Sequence, residues 1–410
     1  MENFKKTMTI VKGVGIMKKR CKMIIALLSA AMVLTACAGN TSDSNHKKTE
    51  ETKTQENSEN KKDTSADEET KAYQAKLDMI EPAAYRDASG LALEEGAYIS
   101  IIGKAASGDF WDEVKKGAEQ AGKDINEQLG YKGKKAVKVV FSGPSDKDNV
   151  DEQVNILDEE LSRYPAALAI SIADAKACEV QFDQAGWNET PIVTFDSSSD
   201  YPGLSAFVST DNSASATEAA EHLAEIMGDS GEVMLFVQDS KSQVAQTREN
   251  AFISQIQSAH PNITIVETYH MDQLDAYRQQ MIQEAATDKE AADITEEEVV
   301  DYLFAKHPNV KGCFASNSDA MELVLDEMER KENVSPFVVG YDVNKNSLEA
   351  LEAGKIDGLI VQNPFGMGYA ATIASARAAL NMGNEAFVNT GYTWVTKSNL
   401  NDDAIQNILN

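Results

Sequence analysis

Several residue patterns that would indicate catalysis or metal binding are missing from this 410-residue chain. Its four cysteines show no Cys-x-x-Cys spacing, which argues against zinc and against a disulfide scaffold. Its five histidines are not clustered, and no Gly-rich phosphate loop, HExxH or G-x-S-x-G motif occurs. We therefore expect a protein that is not an enzyme and that carries no cofactor and no metal.

Positive charge is also scarce. The chain has 38 Lys and Arg against 66 Asp and Glu, for a net charge of −28. A surface this acidic repels nucleic-acid phosphates, so we expect no nucleic-acid partner. Cys178 falls on a predicted helix and Cys313 lies in the apolar strand VKGCFAS. We expect both to be buried free thiols, with a bridge between them as the alternative.

Long apolar runs are absent except near the N-terminus, where residues 23–36 are too short to span a bilayer, which takes about 20 residues. A basic stretch precedes this run, and the sequence LTAC ends it at Cys37. The pattern is typical of a signal peptide over 1–37 and resembles a bacterial lipobox, in which Cys37 is lipidated. A plain cleavage site with an incidental cysteine is the alternative. Met17 opens a signal of ordinary length and is the alternative start of the protein.

Residues 38–93 begin with a segment rich in Glu, Lys, Ser, Thr and Asn and without large apolar side chains. Such a segment buries too little surface to offset its ordering entropy. We expect 38–93 to be a disordered, acidic and polar tether. The protein would then be lipid-anchored on the extracytoplasmic face of the cell membrane.

From residue 94 onward, short β-rich runs alternate with amphipathic helical segments. The runs are mostly continuous in apolar residues, which is typical of parallel strands buried on both faces. We expect ten of them: YISIIG, VKVVFS, AALAIS, PIVTFD, AFVST, EVMLFVQ, ITIVETY, VKGCFAS, FVVGYD and GLIVQ. This alternation predicts an α/β fold of βαβ units, and ten strands are enough for two doubly wound parallel-sheet lobes.

Polar side chains follow almost every predicted strand. Because ligands of open α/β sheets bind beyond the carboxyl ends of the strands, these residues are candidates for a site that binds hydroxyl groups. Each of them could instead be a turn or helix-cap residue, since Asp and Asn favour both. They include Asp109, Ser171, Asp196, Thr210, Asp211, Gln238, Asn317, Asp342 and Gln362.

Seven motifs in order make the chain from residue 97 resemble the type I periplasmic sugar-binding proteins, typified by the ribose- and galactose-binding proteins. The motifs are GDFWDEVKKGA, PIVTFDSS, VSTDN, TRENAF, HPNVKGCFASNSD, FVVGYD and GLIVQNP. The resemblance implies a multi-crossing hinge near Thr210, Gln362 and 390–394. It implies lobes of 94–210 plus 363–391 and of 211–362 plus 392–410, which close over a ligand.

The resemblance also implies roles for single residues. The ligand-binding candidates are Phe110 and Trp111 as stacking rings, Asp196, Arg248, Asn317, Asp342 and Gln362, with Ser171, Thr210 and Asp211 as lesser contacts. Adjacent helical side chains point about 100° apart, so we expect Phe110 to face the ligand. Trp111 is then either a second wall or its support. Tyr269, His270 and Tyr277 are candidates for an aromatic of the second lobe, and each could equally be a packing residue.

Two departures from the family pattern affect specificity. Gly108 stands where members often have Asn or Asp, and Ser197 follows Asp196 where ribose-type members often have Arg. Neither residue fits a simple ribose or galactose site.

The resemblance implies a monomeric solute-binding lipoprotein that captures a monosaccharide or short oligosaccharide and delivers it to an ABC transporter permease. The alternative is a sensor of the same fold that presents a sugar or signalling molecule to a chemoreceptor or a histidine kinase. A glycosidase based on Asp196 and Asp342 is disfavoured, because these carboxylates would sit on two lobes that move relative to each other.

Overall fold

The computed structural model describes residues 73–331 and 334–409. The expected signal peptide, Cys37 and the first part of the expected tether lie outside these residues. Within them, no helix has both the length and the apolar character needed to cross a membrane.

The described residues form two six-stranded sheets, one in each lobe. The first has the order β11-β5-β4-β3-β1-β2 and is parallel throughout. The second has the order β12-β10-β9-β8-β6-β7 and is parallel except for the β10–β12 pair. The strands are β1 Tyr98–Ile102, β2 Lys138–Ser142, β3 Ala167–Ile170, β4 Ile192–Phe195, β5 Phe207–Ser209, β6 Gly231–Val237, β7 Ile263–His270, β8 Val310–Ala315, β9 Phe337–Tyr341, β10 Gly358–Gln362, β11 Phe387–Asn389 and β12 Tyr392–Val395.

Helices cover the sheets, so the inner strands β3, β4 and β10 are buried along their whole length. This is the reason that their sequences are continuous apolar runs. The helices are α1 Asp109–Leu129, α2 Val150–Leu161, α3 Glu179–Trp187, α4 Asn212–Ile226, α5 Gln243–Ala259, α6 Leu274–Gln283, α7 Glu296–Lys306, α8 Ser318–Arg330, α9 Lys345–Ala353, α10 Pro364–Ala379 and α11 Asp403–Leu409. The predicted pair of doubly wound lobes is confirmed. The strands that the sequence did not reveal, β11 and β12, have three and four residues and lie at sheet edges, too short for a periodic signal.

The chain passes between the two sheets at three points, after β5, after β10 and after β11. Hydrogen bonds tie these crossings to one another. The hydroxyl of Thr210 donates to Oε1 of Gln362 at 3.0 Å, and Nδ2 of Asn363 donates to the carbonyl of Thr390 at 3.0 Å. The three crossings of the hinge are therefore hydrogen-bonded to one another and are not independent linkers.

Helices α1 and α10 approach each other very closely in the first lobe. A Cβ at Gly117 would lie 1.9 Å from the carbonyl oxygen of Phe365, and one at Gly368 would lie 1.8 Å from that of Val114. Only glycine permits this backbone-to-backbone contact. The close packing places the N-terminal ends of both helices beside the hinge.

Residues 73–93 pack against the first lobe, so the expected tether is wrong for this part of 38–93. Residues 73–78 are helical, and the apolar side chains of the segment enter the first-lobe core. These buried side chains are Leu77, Ile80, Tyr85, Leu91 and Leu93. Backbone bonds between Glu81 and Asn389 add the segment to the outer edge of β11. The polar composition before residue 73 hid this change, because the apolar residues of 73–93 are irregularly spaced.

Both cysteines of the described residues are free and buried, as expected, and lie in the cores of different lobes. Burial raises the pKa of the Cys178 thiol to about 12, which makes it unreactive at neutral pH.

Candidate functional site

The carboxyl ends of the strands in both lobes converge on one space of about 50 Å³, here called the inner cavity. All seven ligand-binding residues predicted from the sequence line it. The lining consists of Lys104, Phe110, Trp111, Lys147, Asp148, Asp196, Gln238, Val244, Arg248, Asn317, Ser318, Asp342 and Gln362. The structure thus brings together residues that are up to about 250 positions apart in the chain.

Two aspartates occupy equivalent places in the two lobes. Asp196 follows β4 and Asp342 follows β9, each the third strand from its sheet edge. Both are left-handed, with φ of 56° and 69°. Such backbone strain costs of the order of 1–3 kcal/mol and is typical of functional sites. The strained turn directs each carboxylate into the cleft between the lobes.

Asp196 is held by its own lobe. Its Oδ2 accepts a hydrogen bond from the Ser171 hydroxyl at 2.7 Å and lies 3.4 Å from Nζ of Lys104. The side chains of Lys104 and Asp196 are both almost fully buried. Ser171 therefore positions the carboxylate of Asp196. The carboxylate retains lone pairs that can accept from a ligand hydroxyl.

Asp342 connects the cavity to the hinge. Its Oδ1 accepts from Nε2 of Gln362 at 2.6 Å, and Gln362 in turn accepts from Thr210. Burial raises the pKa of the Asp342 carboxyl, although Arg248 and the bond from Gln362 act in the opposite direction. Asp342 is therefore one hydrogen bond away from the crossing at Gln362 and two hydrogen bonds away from the crossing at Thr210.

Arg248 is the deepest cation of the second lobe, with a relative exposure of 2%. Its Nε donates to Oδ1 of Asn212 at 2.8 Å and its Nη1 donates to the carbonyl of Ser316 at 2.7 Å. Its guanidinium lies 4.0 Å over the ring of Tyr341. Its Nη2 is buried and has no hydrogen-bond partner among the described residues. A buried donor without a hydrogen-bond partner costs free energy, and an acceptor atom of a ligand in the cavity would remove this cost.

Phe110 and Trp111 begin α1 and differ in burial. Trp111 belongs to the first-lobe core and packs edge-on against Phe195 at 6.4 Å, whereas Phe110 is half-buried. The two rings meet edge to face at 5.1 Å. Trp111 thus supports Phe110 from the core while still contributing to the cavity wall.

Asn317 caps a helix and also lines the inner cavity. Its Oδ1 accepts from the backbone N–H of Ala320 and caps α8, while its Nδ2 donates to Oδ2 of Asp319 at 3.1 Å. The amide that the sequence predicts for a ligand is thus already engaged by the protein. Asp211, one of the three lesser contacts that were predicted, likewise caps α4 by accepting from the N–H of Ala214.

The lobes touch each other directly beside the cavity. Lys147 of the first lobe forms an ion pair with Asp319 of the second, and the N–H of Val244 donates to the Ser197 hydroxyl at 3.4 Å. The lobes are therefore in a closed arrangement.

Lys104, Lys147, Asp148 and Val244 were not among the predicted site residues, and Gln238 was predicted only as a polar residue that follows a strand. Lys104 comes two positions after β1 and could have been found as the first charged residue past that strand. Lys147 and Asp148 belong to DKDNVDEQ, which forms the capped start of α2 at Asn149. Loss of hydration raises the pKa of the Asp148 carboxyl, and nearby Asp239 and Asp319 add to this shift.

None of the three candidates for a second-lobe aromatic reaches the cavity. Tyr269 and Tyr277 are buried in the second-lobe core, and His270 pairs with Glu249. Among the described second-lobe residues that line the inner cavity, the apolar one is Val244 and none is aromatic. The ring of Tyr341 lies behind Arg248 instead.

Gln153 on α2 holds two strand ends of the first lobe in place. Its buried amide donates to the carbonyls of Gly103 and Ser171 at 2.9 and 2.8 Å and accepts from the N–H of Ala173. The loops that carry Lys104 and the residues after β3 are thereby fixed before any ligand binds.

Known protein families and sequences are similar to this chain over most of its length. Residues 99–385 match the family described as "Periplasmic binding protein domain". The ribose import binding protein of Bacillus subtilis is 23% identical over 72% of this chain and 86% of its own length. The D-allose-binding periplasmic protein of Escherichia coli is 22% identical over 68% and 85%.

Solved structures show the same fold. A carbohydrate transporter solute-binding protein of Agrobacterium radiobacter, in complex with D-arabinose, is 27% identical with a TM-score of 0.63, covering 77% of this chain and 99% of that one. A solute-binding protein of Agrobacterium vitis, bound with α-D-tagatopyranose, is 23% identical with a TM-score of 0.64, covering 76% and 98%. This chain therefore belongs to the periplasmic binding protein family, in the type I sugar-binding form that its motifs resemble.

Proposed function

We propose that this protein captures a sugar or a related polyhydroxylated ligand in the inner cavity and delivers it to the permease of an ABC transporter. The relatives support this proposal, since they are named for ribose import or D-allose binding and the matched structures hold D-arabinose and tagatose. The acidic and amide side chains of the cavity also suit hydroxyl groups, which both donate and accept hydrogen bonds.

The observation that carries the proposal is the unpartnered Nη2 of Arg248. The side chain of Arg248 lines a cavity in which Asp196 and Asp342 supply acceptors and Lys104 supplies a donor. A hydroxyl or ring oxygen would complete the set, with the half-buried ring of Phe110 available for the C–H face of a sugar.

Capture would occur by closure. Residues of both lobes line one cavity, so a ligand contacts all of them only when the lobes are closed. A ligand that binds the closed state better shifts the population toward it. The same geometry favours binding over catalysis, because Asp196 and Asp342 belong to lobes that separate when the cleft opens.

We expect the purified protein to gain thermal stability with one or a few members of a panel of pentoses, hexoses, polyols and short oligosaccharides. Ligand binding to the folded state alone stabilises it by about 2.7 kcal/mol at a hundredfold excess over Kd. Differential scanning fluorimetry would measure the shift, with an unrelated folded protein as the control. A panel without any shift would refute a sugar as the ligand.

We further propose that Cys37 carries a lipid anchor that holds the protein, as a monomer, at the extracytoplasmic face of the membrane. The proposal comes from the lipobox-like sequence at Cys37 and the polar composition of 38–72. A Cys37→Ala variant should move from the membrane fraction to the soluble fraction of cells. Retention of the variant in the membrane fraction would contradict the anchor, and size-exclusion chromatography of the soluble form would test the monomer.

A further inference from the structure

A second and much larger space, here called the outer groove, lies against the inner cavity. Its volume is about 600 Å³. It shares with the inner cavity the lining residues Phe110, Trp111, Lys147, Ser318, Asp342 and Gln362. The two spaces therefore adjoin along a common wall, which includes a candidate stacking ring and one carboxylate of the site.

The sizes of the two spaces differ in a way that bears on the ligand. The inner cavity, at about 50 Å³, has room for only a few water-sized groups. The outer groove falls within the range of roughly 300–1,000 Å³ that is usual for small-molecule sites. A ligand held by both spaces has a small end in the inner cavity and its larger part in the groove.

The groove walls are suited to a second sugar ring or a similar group. Asp109 and Asp112, in the first turn of α1, are exposed and make no side-chain hydrogen bond within the described residues. Lys116 and Lys345 supply exposed donors from opposite lobes. Leu348 and the end of α11 add an apolar surface. Carboxylates and ammonium groups beside an apolar patch match the hydroxyl edges and C–H faces of a sugar.

Gly108 keeps part of the groove open. It lines the groove with a φ of 125°, and a Cβ there would meet no heavy atom within 4 Å. A side chain such as the Asn or Asp of related sequences would extend into this space. Its absence leaves room at the point where α1 begins, two positions before Phe110.

We infer that the outer groove is a second subsite and that the ligand is a glycoside or short oligosaccharide. One polar edge of its terminal unit enters the inner cavity, and the rest of that unit and the attached unit lie in the groove between α1 and α9. This inference rests on the proposed function, because it extends the same site.

The test compares parent sugars with extended ones by isothermal titration calorimetry on the full chain. The parents are D-ribose, D-allose, D-arabinose, D-fucose, D-galactose and D-glucose. The extended probes are their 4-nitrophenyl glycosides and disaccharides that carry the same terminal sugar. We expect at least one extended probe to bind tenfold or more tightly than its parent.

Groove variants then locate the extra affinity. Lys116→Trp and Lys345→Trp each place a bulky ring in the groove. We expect each variant to change the affinity for the extended probe at least fivefold, whereas the affinity for the parent sugar should change less than twofold. Lys115→Trp is the matched control, because Lys115 is exposed on α1 but does not line the groove. It should change neither affinity.

The possible failures can be told apart. If parent sugars bind and every extension abolishes binding, the second subsite is refuted and the proposed function stands. The subsite is also refuted if extended probes bind no more tightly than their parents and their affinity is unchanged in both groove variants. If no compound binds, the proposed function fails and the inference fails with it.

Discussion

The Arg248→Ala variant is expected to lose at least tenfold, and up to about a hundredfold, in affinity for the ligand that the sugar panel identifies. Hydrogen bonds from a charged donor contribute about 1.5–3 kcal/mol, and about 1.4 kcal/mol corresponds to a factor of ten in Kd. The side chain of Arg248 is 2% exposed, so water cannot replace it easily. Isothermal titration calorimetry on the variant would measure the loss directly.

Removal of Arg248 also breaks its bonds to Asn212 and Ser316, so a structural effect must be separated from a binding effect. Arg248→Lys keeps the charge but cannot reproduce the planar fork of donors, and we expect an intermediate loss. Arg278→Ala is the matched control, because Arg278 donates to the carbonyl of Ile294 in the same lobe but does not line the cavity. Arg248→Ala with unchanged affinity would show that the site has been assigned wrongly.

A chain that begins at residue 94 is expected to be strongly destabilised relative to one that begins at residue 73. The segment removed places Leu77, Ile80, Tyr85, Leu91 and Leu93 in the first-lobe core. Burial of a large apolar side chain contributes about 1.5–3 kcal/mol, and its loss also exposes the surface beneath it. Part of this is offset by the entropy that the segment regains, so we expect a net loss of several kcal/mol and a fall of the order of 10 °C in melting temperature.

The segment also supports the hinge, which gives the truncation a second effect. Nδ2 of Asn363 donates to the carbonyls of both Lys76 and Thr390, so the segment and two crossings meet at one side chain. We therefore expect weaker ligand binding as well as lower stability.

Point variants separate packing from chain length. Ile80 is fully buried, and Ile80→Ala should cost about 2–5 kcal/mol, whereas Gln74→Ala, at an exposed position, should change stability by less than about 0.5 kcal/mol. Equal melting temperatures for the two truncated chains, measured by calorimetry, would show that residues 73–93 are dispensable.

Much of the site could be predicted because strand ends can be read from a sequence. In a parallel sheet the carboxyl ends of the strands meet at one edge, so Asp196, which ends PIVTFD, and Asp342, which ends FVVGYD, could each be placed at the ligand edge of its own sheet. The closed arrangement of the two lobes then brings these two edges together. The failures have a different origin. Tyr269 lies within β7 and Tyr277 lies on α6, and both pack into the second-lobe core beside an edge strand whose end does not line the cavity. Strand order, which a single sequence does not reveal, decides which ends face the ligand.

By itself the sequence determined the alternation of strands and helices, the burial of the strands on both faces, and the chemical type of the side chains at the strand ends. These follow from local periodicity and composition, which act over a few residues. Only the tertiary structure decided that residues 73–93 belong to the first lobe and that Asp196 and Asp342 are left-handed. It also decided that Nη2 of Arg248 lacks a protein partner and that a wide groove adjoins a narrow cavity. Those properties depend on contacts between residues that are distant in the chain, and such contacts form only when the two lobes fold and close.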